Sequence, residues 1–86
     1  MKKQQTKLVR LDVVPHGGTW RVVRDGSVVV VGMPTQRDAI GTARAIAARL
    51  VLQGARGVTV RVHRRDGRVR DEFTRPRSAD PRRSRG

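Results

Sequence analysis

Two Asp-Gly dipeptides, each set between runs of β-branched residues, constrain the fold of this chain more than any other feature. Asp25-Gly26 lies within TWRVVRDGSVVVVG, and Asp66-Gly67 lies within VTVRVHRRDGRVRDEF. Asp-Gly between extended segments favours a tight turn that joins two antiparallel strands. The sequence therefore predicts two β-hairpins.

A separate strand is predicted before the first hairpin. Residues 7–14 alternate between apolar and polar side chains, with Val9, Leu11 and Val13 on one face. Alternation of this kind is typical of a strand with one buried face. Residues 15–18, Pro-His-Gly-Gly, end the pattern because proline and glycine interrupt regular strands.

A two-residue turn at Asp25-Gly26 sets the register of the first hairpin. It places Val23 opposite Val28, and the further pairs follow in step. Directly opposed residues lie on the same face of a sheet. The predicted core face carries Trp20, Val22, Val29 and Val31. The predicted outer face carries Arg21, Val23, Val28 and Val30.

The three valines of that outer face are unusual, since the outer face of an antiparallel sheet is ordinarily polar. A self-association surface formed by Val23, Val28 and Val30 is one interpretation, and it would add buried area to a chain too short for a large core. A second covering element, or the strand propensity of valine alone, is the other interpretation.

Residues 35–54 have the apolar spacing of an amphipathic helix. Thr35 is predicted to be the N-cap, with Asp38 favourable in the first turn, and Gly54 is predicted to end the helix. Gly41 disfavours this helix by about 1 kcal/mol relative to alanine. The apolar stripe consists of Ala39, Ile40, Ala43, Ile46, Ala47, Leu50 and Val51.

The Asp66-Gly67 turn sets the register of the second hairpin in the same way. A two-residue turn pairs Arg65 with Arg68. It also pairs His63 with Arg70. The predicted core face carries Val60, Val62, Val69 and Phe73. The predicted outer face carries Arg61, His63, Arg65, Arg68 and Arg70, with Glu72 as its acid.

Both of those pairs bring basic side chains together on one face. Like charges that lie directly opposite each other destabilise a sheet. A bound counter-ion, such as a nucleic-acid phosphate, is one interpretation. Side chains that splay apart at ordinary salt, where screening weakens the repulsion, are the other.

The net charge of the chain is strongly positive. Lys and Arg number 20 against 7 Asp and Glu, which gives a formal charge of +13. The sequence predicts a flexible basic N-terminus at 1–6, a single α+β domain at 7–74 and a disordered basic tail at 75–86. The excess of positive charge extends over all three segments. A basic body with basic tails favours a polyanionic partner. An arginine-rich genome composition, with no binding role for the charge, is the alternative.

No combination of side chains suited to catalysis or metal binding stands out. His16 and His63 are the two histidines, and the chain has no cysteine. The acids fall in predicted turns, strands and the helix start rather than in catalytic pairs, so we expect no enzyme activity, cofactor, metal or small-molecule substrate. Because neither a signal-peptide pattern nor a long apolar run is present, we expect a cytoplasmic protein without a membrane partner.

Several short motifs, in this order along the chain, resemble a known family. They are a Val-Val-Pro segment, a tryptophan strand, a helix start and a Val-His-x-x-Asp-Gly-Arg hairpin. The matching residues are Val13, Val14, Pro15, Trp20, Val22, Thr35, Asp38, Ala39, Ile40, Val62, His63, Asp66, Gly67 and Arg68. They resemble the bacterial domain-of-unknown-function family 2188 over residues 8–73. The resemblance implies a small α+β fold and no particular activity. The chain departs from the family pattern at Thr19, which separates glycine from tryptophan, and in its basic tail.

The fold prediction is a small antiparallel sheet of about five strands with one helix on one face, in the order β-β-β-α-β-β. The functional hypothesis is weakly specific binding of double-stranded DNA, at the nucleoid, through the second hairpin and the basic tails. The scarcity of aromatic residues argues against stacking on single strands. The predicted binding residues are Arg10, Arg21, Arg61, His63, Arg65, Arg68 and Arg70. The alternative is a protein-interaction or homodimer module that uses Val23, Val28 and Val30.

Overall fold

The predicted order of strands and helix is confirmed by a computed structural model, which describes residues 8–76. Its elements are β1 (Leu8–His16), β2 (Thr19–Arg24), β3 (Ser27–Met33), α1 (Gln36–Leu52), β4 (Gly57–His63) and β5 (Val69–Arg75). The predicted flexible segment at 1–6 and most of the predicted tail lie outside the described residues. Arg75, which the sequence analysis assigns to the tail, is the last residue of β5.

The five strands form one sheet with the order β3-β2-β1-β4-β5. The central strand β1 is antiparallel to β2 and parallel to β4, so the sheet is mixed rather than wholly antiparallel. The parallel pair exists because α1 carries the chain back along the sheet before β4 begins. Parallel neighbours require a crossover of this kind.

The core lies between α1 and one face of the sheet. Val9, Leu11 and Val13 point to this side of β1, as predicted, and Leu11 and Val13 are completely buried. The strands contribute mostly valine. The core residues of the other elements are Trp20, Val22, Ala39, Ala43, Ala47, Val58, Val60 and Val62. Buried alanines bring the helix axis close to the sheet, so valine side chains and one tryptophan fill a small core.

The helix begins and ends where the sequence predicts. The Thr35 side chain accepts a hydrogen bond from the backbone N–H of Asp38 at 3.0 Å, which is the role of an N-cap. Gly54 follows the last turn with a φ of +106°. Within residues 8–76, no helix is both long and apolar enough to cross a membrane.

The first hairpin turns as predicted. Asp25 and Gly26 have φ values of +47° and +91°. Two successive left-handed residues are what a two-residue turn between right-twisted strands requires. Val23 accordingly lies opposite Val28.

Beyond that pair the predicted register is wrong, because β3 contains two register shifts of the β-bulge type. Val22 lies opposite Val30, which packs against the core instead of lying on the outer face. Val29 and Val31, predicted to be core residues, are 47% and 65% exposed. Gly32, with a φ of +75°, lies in the second shift, and glycine adopts that conformation without steric cost.

The second hairpin closes with a longer turn than predicted. The Gly67 N–H donates to the carbonyl oxygen of Arg64 at 3.0 Å, and the Arg64 N–H donates to the carbonyl oxygen of Arg68 at 2.7 Å. Three residues therefore form the loop, with Gly67 at a φ of +92°. The predicted pairing of Arg65 with Arg68 does not form, since Arg65 lies inside the loop.

A register shift follows that turn. His63 lies opposite Val69 instead of Arg70, and Arg70 is the extra residue of β5. Val69 is 40% exposed, so its predicted place in the core is wrong. Pairs farther from the turn, such as Val60 with Phe73, match the predicted register.

Two glycines give a matched test of this backbone. A Cβ atom at Gly41, inside α1, meets nothing within 4 Å, whereas Gly32 has a φ of +75°. We expect Gly41→Ala to raise the free energy of unfolding by about 1 kcal/mol. We expect Gly32→Ala to lower it by about 1 kcal/mol, because alanine is strained at positive φ. Urea unfolding followed by circular dichroism measures both, and a loss of stability in Gly41→Ala contradicts the helix geometry.

Candidate nucleic-acid interface

The face of the sheet opposite α1 carries several charged side chains. Arg61 lies opposite Glu72 on β5 and beside Asp12 on β1, and buried valines alternate with it along β4. We call this surface the open face, and its ionisable side chains are Arg10, Asp12, Arg21, Arg61, His63 and Glu72. Of the predicted binding residues, the open face therefore brings together Arg10, Arg21, Arg61 and His63.

Asp12 anchors the centre of the open face. The residue is 8% exposed. Its Oδ1 lies 2.8 Å from Nε2 of His63, and its Oδ2 accepts a hydrogen bond from Nε of Arg10 at 3.2 Å. A buried carboxylate needs such partners, because removing it from water without them is costly. Two predicted binding residues are therefore held against the sheet by a structural acid.

Arg21 and Arg61 lie on the same face without a comparable anchor. Both side chains are half-buried, and the Nε atom of each is buried without a hydrogen-bond partner among residues 8–76. A guanidinium has five N–H donors, of which Nε–H is one. Within residues 8–76, no hydrogen bond to Nε fixes the orientation of either guanidinium group.

Arg65 does not share the outer face that the sequence predicts for it. Its guanidinium carbon lies 5.0 Å from the centroid of the Trp20 ring, and its Nη1 donates to the carbonyl oxygen of Gly17 at 3.1 Å. Trp20 belongs to the core on the helix side of the sheet. Arg65 therefore attaches the hairpin turn to the β1–β2 turn instead of standing beside Arg61.

Arg70 also lies away from the open face, because the extra residue in β5 changes its direction. It lines an open cleft of about 510 Å³ between α1 and β5. Other residues that line this helix-side cleft are Gln36, Arg37, Ile40, Gly41, Arg44, Val62, Asp71 and Phe73. The predicted outer-face position of Arg70 is wrong, and the residue instead meets the basic side of the helix.

Basic residues from two neighbouring places lie where the β4–β5 turn meets the first half of α1. Arg37, Arg44 and Arg70 line the helix-side cleft with Asp71, and Arg64 and Arg68 flank the turn that contains Asp66. We call these residues, all of them exposed, the hairpin end. The Gln36 side chain joins the two elements, since its Nε2 donates to the carbonyl oxygen of His63 at 3.1 Å. The hairpin end is more positive than the open face, where three arginines accompany two acids.

Three members of the hairpin end are not selected by sequence analysis. Arg37 and Arg44 are visible as side chains off the apolar stripe, about two helical turns apart and so on one side of α1. Sequence periodicity does not say which strand that side approaches. Arg64 joins the cluster because the loop has three residues, which the dipeptide Asp-Gly alone does not specify.

A family model described as an uncharacterized protein conserved in bacteria (DUF2188) matches residues 11–75. The chain belongs to the DUF2188 family. The match extends from the middle of β1 to the end of β5, and the resemblance noted from the sequence motifs is confirmed. No curated protein and no solved structure matches the chain.

In this DUF2188 member, the three valines of the predicted self-association surface do not lie on one face of the sheet. Val23 and Val28 lie opposite each other on the open-face side, as predicted. Val30 packs against the core, so it is not part of that surface. The more exposed valines of the edge strand β3 are Val28, Val29 and Val31.

The two histidines have different surroundings within residues 8–76. Within residues 8–76, no group of three His, Cys, Asp or Glu side chains is placed to hold a metal ion. His63 contacts Asp12, and His16 is exposed at the end of β1. That this DUF2188 member has no enzyme activity stays a prediction.

The contact between Asp12 and His63 is expected to stabilise the fold. In a double-mutant cycle of Asp12→Ala and His63→Ala, we expect a coupling energy of about 1 kcal/mol, since the pair is mostly buried and close. The matched cycle of Arg64→Ala and Asp66→Ala should give a coupling near zero, because that pair is exposed and 4.0 Å apart. Urea unfolding supplies all the free energies, and equal coupling in both cycles contradicts the structural role of Asp12.

Proposed function

We propose that this DUF2188 member binds nucleic acid, specifically double-stranded DNA with weak sequence preference, through the hairpin end. The observation that supports this most directly is the position of five exposed arginines, with two aspartates, where α1 meets the β4–β5 turn: three line the helix-side cleft and two flank the turn. Arginine suits phosphate because its planar fork of N–H donors binds two oxygens at once. The overall charge of +13 adds attraction to any polyanion.

A duplex is favoured over a single strand because the aromatic rings are already occupied. The chain has one tryptophan and one phenylalanine. Arg65 lies over Trp20, and Arg44 and Arg75 lie 5.2 Å and 4.9 Å from the centroid of Phe73. Proteins that hold single strands stack bases on exposed aromatic rings. Phosphate contacts to a duplex need no such platform.

The open face and the basic termini have supporting roles in this proposal. Arg21 and Arg61 supply further guanidinium groups beside the hairpin, and Arg10 and His63 are directed by Asp12. Lysines and arginines at the two ends of the chain add counter-ion release on a long duplex. The protein would then act in the bacterial cytoplasm, at the nucleoid.

The decisive measurement is the salt dependence of duplex binding by the full chain. We expect the affinity for a labelled random-sequence duplex, measured by fluorescence anisotropy, to fall steeply between about 50 and about 200 mM salt. In the variant Arg64→Gln with Arg68→Gln, we expect the slope of log affinity against log salt to become smaller by about 2, because two phosphate contacts are lost.

A matched variant distinguishes binding at the hairpin end from attraction to the overall positive charge of the chain. Arg49→Gln with Arg56→Gln removes the same charge from positions outside the hairpin end and should leave the slope nearly unchanged. A second comparison replaces the basic residues of the termini by glutamine, at Lys2, Lys3, Lys7, Arg77, Arg82, Arg83 and Arg85. Equal effects of the two arginine pairs, or binding that depends on the termini alone, would contradict the hairpin end as the interface.

Self-association through the β3 edge is a second candidate function. Val28, Val29 and Val31 are 47%, 47% and 65% exposed on an edge strand, and an edge strand leaves backbone groups available for pairing. This candidate treats the charge of the chain as incidental.

Sedimentation equilibrium tests the self-association candidate. We expect a concentration-dependent dimer that Val29→Thr with Val31→Thr converts to a monomer, since both changes remove apolar contact area while keeping strand propensity. Val14→Thr, a half-buried position on the central strand, is the comparison. A strictly monomeric protein at high concentration contradicts this candidate.

A further inference from the structure

The helix-side cleft contains basic side chains without an acidic partner among the described residues. None of the ion pairs formed within residues 8–76 involves Arg37, Arg44 or Arg70. The acid of the cleft is Asp71, whose Oδ1 accepts a hydrogen bond from the backbone N–H of Glu72 at 2.8 Å. Three guanidinium groups and one carboxylate therefore leave an excess of about two positive charges in this cleft.

Gly41 opens the cleft at the surface of the helix. It lies in the second turn of α1, it lines the cleft, and a Cβ atom built there meets nothing within 4 Å. Close packing against another element therefore does not account for a glycine inside a helix, where it lowers helix propensity. The missing side chain leaves space through which a ligand can reach the helix backbone.

An apolar patch lies beside the arginines of the cleft. It consists of the half-buried Ile40 and Phe73, which lie in the cleft lining with the buried Val62. The cleft of about 510 Å³ falls in the range of small-molecule sites, which hold far more than one inorganic anion. The cleft thus combines three arginines with a small apolar patch.

We propose that the helix-side cleft binds a phosphate monoester. Its phosphate contacts Arg37, Arg44 and Arg70, and its organic part lies on Ile40 beside Gly41. A monoester carries a charge of about −1.5 to −2 at pH 7, which matches the excess charge of the cleft better than a single carboxylate does. This site uses three arginines of the hairpin end, but a small ester that enters the cleft can bind them without a duplex.

The test titrates the full chain with adenosine monophosphate, inorganic phosphate and adenosine while amide chemical shifts are recorded by NMR. We expect adenosine monophosphate to shift the amides of residues 36–44 and 70–73 and to bind at least about tenfold more tightly than adenosine, since the charged contacts need the phosphate. Inorganic phosphate should shift the same amides at higher concentration. Adenosine that binds equally well, or no shift with either phosphate compound, overturns the proposal.

Two variants locate the site. Gly41→Leu places a side chain in the cleft while improving helix propensity, so we expect binding of adenosine monophosphate to weaken at least about tenfold in a protein that melts no lower than the wild type. Ala48→Leu makes a similar addition at an exposed helix position outside the cleft and should leave binding unchanged. Arg70→Gln should weaken binding without changing the fold, and Arg70→Lys should restore part of it. Unchanged binding in both Gly41→Leu and Arg70→Gln overturns the assignment.

A last comparison identifies the source of the ester. A short single-stranded oligonucleotide with a 5′-phosphate is compared with the same oligonucleotide ending in a 5′-hydroxyl. Preference for the phosphorylated strand, abolished by Gly41→Leu, assigns the site to nucleic-acid ends, and equal binding of the two strands assigns it to free small esters. The cleft shares Arg37, Arg44 and Arg70 with the hairpin end. Duplex affinity that is unchanged in Gly41→Leu but reduced in Arg64→Gln with Arg68→Gln distinguishes binding of the ester in the cleft from binding of a duplex, so a failure of either proposal can be recognised on its own.

Discussion

The hydrogen bonding of β1 on both of its sides is the constraint on which the rest of the structure depends. Its pairing with β2 is antiparallel and needs only a short turn, whereas its pairing with β4 is parallel and needs the crossover that α1 provides. The crossover brings the start of α1 to the end of β4, where Gln36 bonds to the His63 carbonyl. The hairpin end and the helix-side cleft both form at this meeting point.

Much of the fold is predictable because local residue preferences and the pattern of apolar side chains indicate the same helix, turns and strands. The N-cap at Thr35, the turn at Asp25-Gly26 and the alternation of β1 are each decided by a few neighbouring residues. The parallel placement of β1 beside β4 is not predictable in this way. It results from pairing between segments about fifty residues apart, such as Val13 beside Val62. Nothing in the sequence of either segment indicates which strand lies next to it.

The sequence predicts the wrong strand register in β3 and beside the second turn, and the reason is physical. Side chains alternate along a strand, so one extra residue moves every later side chain to the other face. A single shift carries Arg70 from the open face to the cleft, and another carries Val30 into the core. Aliphatic residues on both faces of β3 satisfy either register, which is why the pattern of valines does not locate the bulges. Charge identifies the arginines from the sequence, whereas their arrangement on the surface depends on these shifts.

The contacts of Arg65 affect the conformational entropy that the second hairpin loses when it binds a partner. Its stacking on Trp20 and its bond to Gly17 attach the loop of the second hairpin to a different turn of the sheet. A long hairpin attached only at its base would sample many directions, and ordering it on a partner would oppose association. Here the loop is secured at both its base and its tip before any partner arrives. The flanking arginines are thus presented from a rigid support, and the conformational cost of binding falls on their side chains rather than on the backbone.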